Sequence, residues 1–196
     1  MKLLRLITGC LLLVLFVTGC DLFTTRTPEE PTGSSGEGWN LPLNPRDVLT
    51  NMENSIGRRS DVDYAHNFSS EESGLPLFRF VADPQSVADN PGRLDSWGLT
   101  EEKRYAQTLF NPANLPLDSI ASVAFAVTQE QLFGDSARVN AGYNLHLGHL
   151  RSAPRVMEGQ LEFNLLRGND GGWYIHRWSD LRAGGHACWS DLKAKF

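Results

Sequence analysis

The chain has 196 residues, 18 Lys and Arg against 23 Asp and Glu, a net charge of −5 and three cysteines. No run of Lys or Arg occurs, which argues against nucleic acid or polybasic head-group binding as a role. The length beyond the N-terminal segments fits one domain with a real core.

The first residues have the order of an export signal. Lys2 and Arg5 give a positive start, and Leu6 to Val17 is apolar. That stretch is shorter than the about 20 residues a permanent membrane helix needs. It ends in Leu15-Phe16-Val17-Thr18-Gly19-Cys20. This pattern resembles the lipobox of bacterial lipoproteins, which implies cleavage before Cys20 and a diacylglyceryl thioether on its sulfur. Ile7-Thr8-Gly9-Cys10 echoes the pattern, but cutting there would leave almost no apolar region. Loss of residues 1–19 removes two of the 18 basic residues, leaving 16 against 23 acidic and a net charge of −7. The resemblance places the protein in the cell envelope, lipid-anchored to the inner or outer membrane, with its domain outside the cytoplasm. Asp21 resembles the inner-membrane retention signal of enteric bacteria, a rule that does not hold across all bacteria.

Residues 20–43 read as the lipidated cysteine and a flexible tether. Thr24 to Gly38 has no apolar period and many breakers, so it cannot bury enough surface to offset its conformational entropy. The domain is expected over 44–196. With Cys10 removed and Cys20 lipidated, only Cys188 remains, so no intramolecular disulfide forms and the core alone holds the fold.

Asn44-Pro45 opens a helix, asparagine as cap and proline at the first helical position. Val48, Leu49, Met52 and Ile56 follow at helical spacing, and a second short helix starts at Ser60-Asp61. Leu77 to Val81 reads as a strand, and 83–97 as irregular. Thr100-Glu101-Glu102 caps a third helix, with acids favouring the dipole and Tyr105, Ala106, Leu109 and Phe110 as its apolar stripe. Four strands follow. Ile120 to Thr128 is the first; Val139, Ala141, Tyr143, Leu145 and Leu147 form one face of the second; Met157, Leu161, Phe163 and Leu165 form one face of the third. Residues 168–172 make a hairpin turn before a last strand, Trp173 to Asp180, and Trp189 to Leu192 reads as a short terminal helical turn.

Helix, helix, strand, helix and a four-stranded meander give an α+β class: N-terminal helices packed on a curved antiparallel sheet. The alternative is a small antiparallel barrel with flanking helices. Pro45-Arg46-Asp47-Val48-Leu49, Phe78-Arg79-Phe80, Glu101-Glu102 and Gly172 to Asp180 together resemble the NTF2-like (cystatin-like) superfamily, with its SnoaL-like and ketosteroid-isomerase-like proteins. The resemblance implies a cone with a cavity between sheet and helices. It also implies, where such proteins are enzymes, a carboxylate base with a tyrosine or protonated acid as oxyanion donor.

Tyr64 and Tyr143 are the tyrosines expected near such a cavity. Asp180 ends its strand and Glu162 alternates with the apolar set, so both are expected to face water, and the acid–base pattern is missing. Tyr174, His176 and Trp178 share one face of a regular last strand, and Trp173, Ile175 and Arg177 the other. Tyr64, Tyr143, His176 and Trp178 are therefore the candidate pocket or partner-binding residues. His146 and His149 point to opposite faces, and His66, His176 and His186 stand alone, all on wet faces or loops. No catalytic residue, metal ligand or cofactor site is assigned. Cys188 reads as a buried, inert thiol.

The leading reading is a non-catalytic module that holds a small apolar ligand or an envelope protein. The alternatives are a SnoaL-like isomerase, lyase or hydrolase acting on a small apolar substrate, and a structural subunit that forms a homodimer. A carboxylate and a tyrosine converging in a closed cavity favour the enzyme. A filled interior with an exposed aromatic sheet face favours an interaction protein.

Overall fold

The computed structural model describes residues 38–196. The signal segment, Cys20 and the tether up to residue 37 lie outside the described residues. The helices are α1 (Pro45–Arg58), α2 (Asp61–Ala65), α3 (Pro84–Asp89), α4 (Leu99–Leu109) and α5 (Trp189–Lys193). The strands are β1 (Arg79–Val81), β2 (Ala121–Phe133), β3 (Ser136–Leu147), β4 (Val156–Arg167) and β5 (Trp173–Arg182).

Local chemistry sets the helix ends. The Asp47 carboxylate accepts the Asn44 backbone N–H at 2.8 Å, and Pro45 occupies the first turn, where its missing N–H costs nothing. Helix α1 stops at Arg59, whose backbone is left-handed (φ 56°). The Ser60 hydroxyl then accepts the Asp63 N–H at 3.1 Å and starts α2. Residues 83–97, expected to be irregular, contain α3. Asp83 accepts the N–H groups of Gln85 and Ser86 at 3.1 Å each, with Pro84 at the first helical position.

The five strands lie in the order β1-β5-β4-β3-β2. Strands β2 to β5 form the expected antiparallel meander, but β1 adds to β5 in parallel, so the sheet is mixed. Strand β2 also runs five residues beyond the expected Thr128, to Phe133. Helix α1 runs antiparallel to β2: Arg46 in its first turn pairs with Glu130, the Glu53 carboxylate accepts the Phe125 N–H at 3.1 Å, and Arg59 beyond its end donates to the Ser119 carbonyl. Val48, Leu49, Met52 and Ile56 are buried beneath it, as their spacing requires.

Strands β3 and β4 alternate cleanly, with Val139, Ala141, Tyr143, Leu145, Met157, Leu161, Phe163 and Leu165 all buried. Strand β5 does not. Leu165 pairs with Ile175 while Asn164 pairs with Arg177, which leaves His176 as an extra, bulged residue. A bulge of one residue reverses the facing of everything after it. Trp173 and Ile175 point inward before it, and Trp178 and Asp180 point inward after it, all buried. The expected sharing of one face by Tyr174, His176 and Trp178 is thereby overturned.

Residues 38–43, expected as the last part of the tether, pack on the domain. The Trp173 N–H donates to the Pro42 carbonyl at 2.9 Å, and the Asn51 side-chain amide donates to the Asn40 carbonyl at 2.6 Å. Trp39 meets the His66 ring edge-on at 5.3 Å.

Candidate functional site: a filled cone and an outer groove

The concave face of the sheet and helices α1, α2 and α4 enclose a space that the C-terminal segment fills. After β5 the chain turns back, and α5 carries Trp189 and Lys193 inside, 1% exposed each. The Trp189 indole meets the Trp178 ring edge-on at 4.7 Å and the Tyr143 ring at 5.4 Å. Its Nε1 donates to the Tyr105 hydroxyl at 3.1 Å.

Two buried carboxylates anchor this segment. Glu102 on α4 lies fully inside rather than on the solvent side of the first turn. Its Oε1 accepts the Tyr64 hydroxyl at 2.6 Å, and its Oε2 accepts the Trp97 indole N–H at 2.6 Å and the Lys193 ammonium. The Lys193 Nζ also lies 3.9 Å from the Phe80 ring centre and 4.1 Å from that of Trp178. Burial pushes the Lys193 ammonium down to about 8, and the Glu102 charge opposes that shift.

Asp180, expected to face water, is the second. Its Oδ1 accepts the Tyr143 hydroxyl at 2.7 Å, and its Oδ2 accepts the Ser190 N–H at 2.7 Å and the Ser190 hydroxyl at 2.6 Å. Burial raises its pKa, and the bonds from Ser190 and Tyr143 work against that rise. The Tyr143 hydroxyl in turn accepts the Trp189 backbone N–H at 2.7 Å. Gly159 stands opposite Tyr143 in the ladder, and any Cβ there would strike the phenol. Burial, then the neighbouring carboxylate, holds the Tyr64 and Tyr143 hydroxyls well above their usual pKa.

Tyrosine and carboxylate therefore do converge, twice, at hydrogen-bonding distance. The space in front of them is occupied by protein, and both oxygens of each carboxylate are already engaged by donors from this chain. Of the four candidate residues, Tyr64, Tyr143 and Trp178 meet in this interior. His176 does not: it sits half-exposed on the outer side, its Nδ1 3.4 Å from the Pro76 carbonyl. His149, expected on a wet face or loop, is fully buried, with Nε2 bonded to the Pro154 carbonyl at 2.8 Å. Cys188 is buried, and burial above all pushes its thiol up to about 12.

A separate groove of about 580 Å³ lies outside the cone, between α2, the start of α4 and residues 39–41. Trp39, Leu41, Val62 and Leu99 supply its apolar surface, and Asp61, Glu72, Lys103 and Asp170, with several uncharged polar side chains, give it a substantial polar share. Among the described residues, no group of three or more His, Cys, Asp or Glu side chains is arranged to hold a metal ion.

This architecture is an α+β cone of the NTF2-like fold. A proposed dehydratase of the NTF2-like family from Streptomyces avermitilis is similar, with a TM-score of 0.50 at 16% identity over 70% of this chain and 92% of that one. A conserved protein from Planctomyces limnophilus gives 0.50 at 15% over 69% and 91%. A proposed calcium/calmodulin-dependent protein kinase type II association domain from Thiobacillus denitrificans gives 0.50 at 9% over 74% and 99%. At such identities the likeness is one of fold. No family model matches the chain, and no curated protein is significantly similar to it.

Proposed function

We propose that this protein is a lipid-anchored cell-envelope module that binds and does not catalyse, held to its membrane through Cys20 with its domain outside the cytoplasm. The observation that carries the non-catalytic part is the occupied cone. Trp189 and Lys193 take the volume a substrate would need, and Glu102 and Asp180 spend their lone pairs on Tyr64, Trp97, Lys193, Tyr143 and Ser190. A carboxylate serves as a base only where it reaches the proton it removes.

The groove beside α2 is the binding site in this reading. Its volume lies within the roughly 300–1,000 Å³ of small-molecule sites, and its lining sets apolar side chains beside charged and polar ones that could orient a ligand. The occupant is a small, largely apolar molecule. Native mass spectrometry of the full chain extracted from membranes in mild detergent tests this. The expected spectrum shows a lipid-modified protein with a non-covalent adduct that Ala65→Trp, which sets an indole in the groove, removes. An adduct unaffected by Ala65→Trp, or none in either protein, contradicts the assignment.

The SnoaL-like enzyme reading retains one observation in its favour, the two tyrosine–carboxylate pairs. It requires the C-terminal segment to leave the cone.

A further inference from the structure

Residues 38–43 do more than lead the chain into the domain. Trp39 and Leu41 form one side of the outer groove, across from Val62 and Ala65 of α2 and Leu99 and Lys103 of α4. A segment whose composition is that of a tether thus supplies a wall of the cavity. What holds it there is slight. The Asn40 N–H donates to the Asn51 Oδ1 at 3.3 Å, and the Asn51 amide returns a bond to the Asn40 carbonyl at 2.6 Å. The Trp173 N–H donates to the Pro42 carbonyl at 2.9 Å. Two side chains add contacts: the Trp39 ring meets His66 edge-on, and a Leu41 methyl fills the space that Gly172 leaves, where a Cβ would stand 2.6 Å from it. Trp39 is only half-buried, Asn40 is exposed, and Leu41 keeps 38% of its surface bare. A segment with few buried apolar contacts and exposed backbone belongs to the low-stability end of a fold, opening locally while the rest stays folded.

We infer that residues 38–43 are a strap that closes on the occupant of the groove, so that ligand and strap dock together, with Asn51 as the residue that positions the strap. The inference deepens the binding reading given above and rests on it. Trp39 and Leu41 both keep apolar surface that a ligand can bury. A small apolar molecule lying between strap and helices gains those two contacts only while the strap is docked. With the strap away it touches α2 and α4 alone. It therefore binds the docked state better, and a ligand shifts an equilibrium by its differential affinity for the two states. Linkage makes the effect reciprocal: docking raises ligand affinity by the same factor with which the ligand favours docking. Asn51 is 3% exposed on α1 and does not line the groove, so it acts on the ligand only through Asn40. The Trp173 N–H, bound to Pro42, reports docking from outside the groove, because Trp173 does not line it either.

The test uses the full chain purified in mild detergent, and β-naphthol as the probe, an apolar double ring with one hydroxyl. Equilibrium dialysis against protein-free detergent measures binding, and amide exchange at Trp173 measures docking. The expected result is binding to the wild-type chain that Ala65→Trp abolishes and Asn51→Ala weakens by roughly tenfold, within the usual range of coupling between sites. Saturating β-naphthol is also expected to slow Trp173 exchange several-fold in the wild type and to leave it unchanged in Ala65→Trp. An Asn51 that merely stabilised α1 would lower Tm on substitution without moving either readout. Full-strength binding to Asn51→Ala, or wild-type Trp173 exchange that the probe does not alter, overturns the strap and leaves the groove site standing. No binding to the wild type, or binding that Ala65→Trp does not reduce, overturns the groove reading and the inference with it. Should Asn51→Ala fail to fold, the Trp173 measurement on the wild type decides alone.

Discussion

Replacing Lys193 with methionine removes a cation from the most enclosed point of the protein, with little change in volume. Lys193 and Glu102 have side-chain exposures of 0% and 1%. The substitution leaves the Glu102 carboxylate buried with only Tyr64 and Trp97 as donors. Breaking a buried pair in this way costs about 3–5 kcal/mol. For a domain of this size that is a fall in Tm on the order of 10 °C. Lys193→Met/Glu102→Gln is expected to recover most of the loss, because a neutral amide oxygen still accepts from Tyr64 or Trp97 and no charge is stranded. Equilibrium guanidinium unfolding followed by tryptophan fluorescence measures both. The pH dependence adds a second arm. Folded Lys193 gives up its proton near pH 8, and unfolded lysine near about 10.4. Between these values the unfolded chain binds more protons, so the Lys193 contribution to stability is full above that window and is lost as pH falls through about 8. Cys188, Tyr64, Tyr105 and Tyr143, all raised, act in the opposite sense at alkaline pH. The informative quantity is therefore wild type minus Lys193→Met, which is expected to grow from about pH 8 to about 10. A single-variant loss below about 1 kcal/mol, a double variant no better than the single, or a difference that shrinks with rising pH would mean that Lys193 and Glu102 are not a buried, coupled pair.

Tyr143→Phe strips a donor from Asp180 and an acceptor from the Trp189 N–H, and denaturant titration is expected to show a loss of about 1–3 kcal/mol. Trp189→Ala opens the cone and is expected to cost about 3–5 kcal/mol. Added indole should restore part of that stability in a thermal-shift assay, and no restoration means the cavity has collapsed. Ellman's reagent should find no reactive thiol in the native mature protein and one after unfolding, from Cys188; two after unfolding would mean that Cys20 carries no lipid.

Much of the fold is written in periodicities that the chain displays openly. Alternation in β3 and β4 places Tyr143 and Phe163 inward, and the 3.6-residue spacing in α1 places Met52 and Ile56 there. What escapes a reading of the sequence is non-local or depends on a single extra residue. Nothing in Trp173 to Asp180 marks His176 as a bulge, yet that residue alone turns Trp178 and Asp180 into the interior. Glu102 looks like an ordinary first-turn acid because its partners lie 38 and 91 residues away. Lys193 carries no local sign of burial either, because its partner Glu102 lies 91 residues away. Helix α3 did carry a signal: Asp83-Pro84 repeats the cap-and-proline logic of Asn44-Pro45. Residues 38–43 lie in a stretch whose composition is that of a tether, and only Trp39, Leu41 and Pro42 hint that the domain begins earlier.

Amide hydrogen exchange on α5 asks most directly whether the filled cone is permanent structure. The Trp189 and Ser190 amides donate to Tyr143 and Asp180, deep inside. They are expected to exchange only with global unfolding, at the rate of the most protected amides of β3 and β4. Exchange of these two amides orders of magnitude faster, with the sheet still protected, would show that the C-terminal segment is a lid over a working cavity, and would contradict the reading of this protein as a binding module with a closed interior.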